Sequence, residues 1–153
     1  MVQNQYFVIT KWQKANEEQS SLASFLICCS ELSFSNHFLA FGDDDALGSI
    51  EYAVDHLHSP LLVIMGHEGC GAVTAAYDSV KNGVPTEGKI ASIVEKIAPV
   101  ISDSNNVAEA IHKNINAVYD EVLKDEIIKK SVNEGKLSIV KAYYDLDGTV
   151  IFE

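Results

Sequence analysis

The chain has 153 residues, 47% of them hydrophobic and 22% charged, the composition of one globular domain able to bury roughly 70% of its unfolded surface. A formal net charge of −11 excludes nucleic acid and anionic membrane surfaces as partners, because both recruit cations. All eleven basic residues are Lys and none is Arg, so bidentate guanidinium recognition of carboxylate, phosphate or bicarbonate is closed to this chain.

In chain order, residues 1–20 read as an N-terminal arm ahead of a single domain at 21–153. Within the arm, Gln5–Thr10 suits a short strand or a segment laid on a partner subunit. The first thirty residues show no basic segment followed by a long apolar core, and no apolar run approaches ~20 residues. Three cysteines, two of them adjacent at Cys28 and Cys29, make no disulfide framework and fit a reducing compartment. A cytoplasmic location is expected.

Ser24–Cys29 is a compact apolar run of strand length, followed by loop-like residues 30–35 and a second short strand at His37–Phe41. Asp43, Asp44 and Asp45 sit where helix-start acids belong. Leu47, Ile50, Ala53, Val54 and Leu57 then recur at helical spacing over 46–57. Pro60 stops that helix before the buried strand Leu61–Met65, and a further helix is expected over Ala72–Val80. Lys81–Pro85 is a turn-rich connection. Ile90, Ile93, Val94 and Ile97 mark a helix behind a Thr86 cap, which Pro99 ends or kinks.

Ser104 or Asn105 is placed to cap the longest helix, with its stripe at Val107, Ile111, Ile115, Val118 and Val122. A short helix follows over 125–133, closed by Gly135. Leu137–Tyr144 is a strand, Asp145–Gly148 a turn, and Thr149–Phe152 an antiparallel return. Strands alternating with helices imply an α/β domain with a mostly parallel sheet: about four parallel strands plus an antiparallel C-terminal edge strand, flanked by helices on both faces.

In such sheets the site lies beyond the carboxyl ends of the strands. Cys28 and Cys29 end the strand 24–29, and His67 and Cys70 follow the strand 61–65. One of the two cysteines with His67 and Cys70 would give Zn²⁺ three ligands and an open fourth position, the catalytic arrangement rather than the closed structural one. Water held there has its pKa lowered toward ~7. Cys70 beside a helix N-terminus is expected to ionise readily. Gly66, Gly69 and Gly71 are expected to let the backbone approach the metal. His37, His56, His58 and His112 read as surface or capping residues.

Gly66-His-Glu-Gly-Cys-Gly-Ala-Val73 resembles the zinc-binding segment of the β-class carbonic anhydrases. Ser49–Leu57 resembles the helix that precedes it in that family, and Glu134–Val140 with Tyr144–Phe152 resembles the family's closing strand pair. The resemblance covers roughly residues 24–153. It implies Cys29, His67 and Cys70 as the ligands of one Zn²⁺ per chain, and a homodimer or higher homo-oligomer with sites near the subunit interface. In the family the first zinc cysteine opens a Cys-Ser-Asp-Ser-Arg-like segment, whose Asp and Arg form a catalytic dyad. Here the segment reads Cys29-Ser-Glu-Leu-Ser33, so Glu31 stands at the Asp position and Ser33 at the Arg position.

The activity implied is reversible hydration of carbon dioxide to bicarbonate by zinc-bound hydroxide. Two alternatives keep the same metal: hydrolysis of carbonyl sulfide or carbon disulfide, and a catalytically weak zinc-binding scaffold. Glu31 would accept the proton of zinc water in the first case and occupy the fourth zinc position in the last. A nucleotide site fits poorly, because Gly66-x-x-Gly69-x-Gly71 inverts the usual glycine spacing and no Walker lysine follows.

Overall fold

The computed structural model describes residues 5–9, 32–33 and 44–153. In chain order the elements are β1 (Gln5–Ile9), β2 (Leu32–Ser33), α1 (Asp44–Asp55), β3 (Leu61–His67), α2 (Gly71–Asn82), α3 (Gly88–Ile101), α4 (Val107–Val122), α5 (Glu126–Asn133), β4 (Ser138–Tyr144) and β5 (Val150–Phe152). The strands make one mixed sheet in the order β2-β1-β3-β4-β5.

The core strand is β3. Leu62 through Met65 are buried, as an apolar run flanked on both edges should be. It pairs in parallel with β4 from Leu61↔Ser138 to His67↔Tyr144, and antiparallel with β1 from Gln5↔Met65 to Ile9↔Leu61. Strand alternation divides the side chains between two faces. Leu62 and Ile64 join Ile139, Tyr143 and residues of all five helices in the main core. Val63, Met65 and Ala142 form a smaller cluster on the other face, with Leu61, Val140, Tyr144 and Val150 against it.

Gln5–Ile9 is a strand of the sheet, the first of the two readings its sequence offered. Other elements depart from expectation. The expected strands 24–29 and 37–41 lie outside the described residues, and among those described only β3 and β4 run parallel. Leu32–Ser33 is a short edge strand rather than loop, because it finds Ile9 and Val8 as partners. β3 runs two residues beyond Met65, since β4 goes on offering partners to Gly66 and His67.

Pro99 neither ends α3 nor is followed by a break before Ile101. Its missing amide removes one bond of the helical ladder, and the buried Ile97 and Ile101 hold the last turn against the core. The residue before that helix is Glu87, without a side-chain capping bond, not Thr86. The cap of α4 is Asn106, one residue beyond the expected pair; its side-chain oxygen accepts from the Glu109 amide at 2.8 Å. Reciprocally, the Asn105 amide and side chain donate to Glu109 Oε2, both at 2.9 Å. Those donors and Lys113 hold the Glu109 carboxyl down at about 2. Asp125 caps α5 by accepting from the Ile127 and Ile128 amides.

Gly66 is where helix and sheet come closest. A Cβ there would lie 2.6 and 2.8 Å from Ile115 Cδ1 and Cγ1 and 2.9 Å from Ile111 Cγ2. The missing side chain therefore serves the seating of α4 on β3. Gly66→Ala should destabilise the protein by about 1–3 kcal/mol through overpacking. Denaturant unfolding reads the loss, and much of it should disappear in an Ile115→Ala background; additive effects would contradict the packing account.

Candidate metal centre

His67 is the last residue of β3 and Cys70 is the N-cap of α2, so the strand exit and the helix entry each contribute one soft donor. His67 Nδ1 lies 2.9 Å from the Glu68 carbonyl oxygen. A carbonyl only accepts, so Nδ1 carries the hydrogen and the Nε2 lone pair is left for a metal. Gly69 makes the turn between the two donors, with φ +66°, a conformation that costs glycine nothing.

Cys70 is fully buried. Its carbonyl accepts from both the amide and the hydroxyl of Thr74, each at 2.8 Å, which locks the first turn of α2. The thiol is not the readily ionised group that its position suggested. Burial pushes it above the ordinary thiol value, and the Val73 and Ala72 amides at the helix start only partly oppose that shift. A bound divalent cation would reverse the balance, because a coordinating thiol is deprotonated outright. One imidazole nitrogen fixed for donation and one buried thiol suit zinc.

The third expected ligand, Cys29, lies outside the described residues, as do Cys28, Glu31, His37 and Asp43. No group of three metal-ligating side chains occurs among the described residues. Ser33 is in β2, opposite Val8. Asp44 opens α1, as a helix-start acid should. His56 sits edge-on to Tyr52 at 4.8 Å, and His58 adopts φ +54° just before β3. His112 stacks on Tyr143 at 4.7 Å and reaches Glu153 Oε1 at 2.6 Å.

Glu68 is the residue that sequence patterning passed over. Its amide donates to the Tyr144 carbonyl at 2.8 Å, carrying the β3–β4 ladder one step past the strand. Its carboxylate Oε2 accepts from the Leu146 amide at 3.1 Å, in the turn between β4 and β5. Only the tertiary fold brings these segments together. Asp145, beside that carboxylate, is held above the ordinary carboxyl value by sharing a hydrogen bond with Glu68 and by their like charge.

A family model for carbonic anhydrase matches residues 32–151 of the chain. Carbonic anhydrase 2 of Mycobacterium tuberculosis is 33% identical over 111 residues, covering 69% of this chain and 54% of that protein. This chain thus spans about half the length of that curated relative. A Coccomyxa β-carbonic anhydrase, solved in complex with acetazolamide, superposes with a TM-score of 0.69 at 19% identity, over 90% of this chain and 68% of that one. A tetrameric β-carbonic anhydrase of Sordaria macrospora superposes with a TM-score of 0.62 at 20% identity, over 72% and 60% of the two chains. The fold is that of the β-class carbonic anhydrases. The chain belongs to the carbonic anhydrase family. His67 and Cys70 fall inside the matched range; Cys29 and Glu31 precede it.

The carboxylate pair gives a pH-dependent prediction. Asp145 binds its proton more tightly in the folded than in the unfolded chain. Folded protein is therefore favoured while that proton is bound, and loses stability as pH rises from the unfolded carboxyl value through the raised folded one. Asp145→Asn should raise the melting temperature at pH 7, with the gain shrinking as pH falls into the acid range. A gain that stays constant with pH would contradict the repulsion.

Proposed function

We propose that this protein is a zinc-dependent carbonic anhydrase that interconverts carbon dioxide and bicarbonate in the cytoplasm. Cys29, His67 and Cys70 would hold one zinc ion per chain. The observation that carries the reading is the His67 Nδ1–H bond to the Glu68 carbonyl. It leaves Nε2 as the donor three residues before a buried cysteine, inside the range matched by the family.

Zinc, when bound, supplies a Lewis-acid centre able to lower the pKa of water to ~7 and so furnish a nucleophile for carbon dioxide at neutral pH. The chain's own residues do the rest. Cys29 and Cys70 would hold the zinc as thiolates and His67 as a neutral imidazole, the three-ligand set of a catalytic rather than a structural site. A Glu31 carboxylate oxygen takes the proton lost as water adds to carbon dioxide and passes it to solvent, so that water and carbon dioxide end as bicarbonate and a proton. No guanidinium is present to orient that carboxylate, because the chain contains no Arg. The same absence favours a second reading, a zinc-holding scaffold in which the Glu31 carboxylate fills the fourth position. The Sordaria relatives are tetramers, and we carry to this chain a homo-oligomer of two or more copies.

Stopped-flow measurement of carbon dioxide hydration tests the proposal. The zinc-loaded protein should accelerate the reaction. Cys29→Ser and His67→Ala should lose both zinc and activity, and Cys28→Ser should keep both. Glu31→Gln should keep one zinc per chain and lose rate by about 10²-fold or more, the usual worth of a positioned proton acceptor. Zinc-loaded protein with no acceleration above buffer between neutral and alkaline pH would sink the enzyme reading and leave the scaffold.

A further inference from the structure

We infer that Glu68 is a positioning residue for the metal ligand His67, its carboxylate clamping the β4–β5 turn so that its own backbone carbonyl stays aimed at His67 Nδ1. The inference rests on the zinc reading for its purpose, but its geometry stands apart from it. Nothing in the His-x-x-Cys spacing calls for an acid at this place.

Three contacts tie this residue to the loop and the turn, besides the hydrogen bond its carboxylate shares with Asp145. The Glu68 amide is fixed to the Tyr144 carbonyl at 2.8 Å, the carboxylate to the Leu146 amide at 3.1 Å, and the carbonyl receives His67 Nδ1–H at 2.9 Å. The accepting carbonyl belongs to the peptide between Glu68 and Gly69. Gly69 has φ +66° and, as glycine, populates the opposite sign of φ about as readily. That peptide can therefore turn over cheaply, and turning it over would take the acceptor away from His67. An unheld His67 would exchange between its two neutral tautomers, one of which places the hydrogen on the metal-donor nitrogen.

The clamp opposes this freedom from the far side of the loop. It ties Glu68 to a turn closed by the Gly148 amide donating to the Asp145 carbonyl at 3.0 Å.

The experiment uses the full chain, first metal-free and then titrated with zinc against a competing chelator. Nitrogen-15 shifts of His67 should show a single Nδ1–H tautomer in the metal-free wild type. Glu68→Ala should give a mixture of tautomers and weaken zinc binding about tenfold, the lower end of what outer partners of metal ligands contribute. Glu68→Gln retains an oxygen acceptor and should restore the single tautomer and an affinity within about threefold of wild type. Leu146→Pro deletes the amide donor and keeps the turn, because Leu146 is exposed and the second position of this turn is one that proline favours. It should reproduce the alanine variant, and it serves as the test if Glu68→Ala fails to fold. A single unchanged tautomer in both Glu68→Ala and Leu146→Pro would overturn the inference, and so would equal loss in the alanine and glutamine variants. A wild type that shows the tautomer but binds no zinc would overturn the metal reading alone.

Discussion

The parallel pairing of β3 with β4 sets where every described donor of the metal loop stands. The ladder runs from Leu61↔Ser138 to His67↔Tyr144, and the Glu68 amide extends it to the Tyr144 carbonyl. His67 therefore leaves the sheet from a paired position, not from a loose end. Behind the strand, α4 approaches so closely at Gly66 that no side chain fits between them. Strand, helix and following turn are held against one another, and the donors inherit that rigidity.

Burial and chemistry pull in opposite directions at Cys70. The fully buried thiol is harder to ionise than an exposed one, yet the same burial keeps competing oxidants and water from the sulfur. A divalent cation resolves the conflict by taking the thiolate directly. His67 contributes in another way, because its tautomer is chosen by a backbone carbonyl before any metal arrives. The two donors are prepared by different means, one by hydrogen bonding and one by enclosure.

Much of this was legible in the sequence where local patterning governs. The apolar run Leu61–Met65, the stripe of α4 and the turn at Gly148 all follow from periodicity and turn chemistry, and the His-x-x-Cys spacing marked the site. What stayed hidden depends on tertiary partners. The extension of β3 to His67 needed β4 beside it, and the Asn106 cap depended on which of three adjacent polar residues accepts from the Glu109 amide. The reason for Gly66 lay in a helix more than forty residues away. Glu68 gave no local signal, because its carboxylate finds its donor 78 residues along the chain.

The central claim is a zinc site made of two cysteines and one histidine. X-ray absorption at the zinc edge, on the zinc-loaded full chain near neutral pH, tests it most directly. The account predicts two sulfur neighbours at about 2.3 Å, one imidazole nitrogen near 2.0 Å and one further light atom. Loss of one sulfur should follow Cys29→Ser and not Cys28→Ser. A shell with no sulfur, or one unchanged when Cys29 and Cys70 are both replaced, would contradict it.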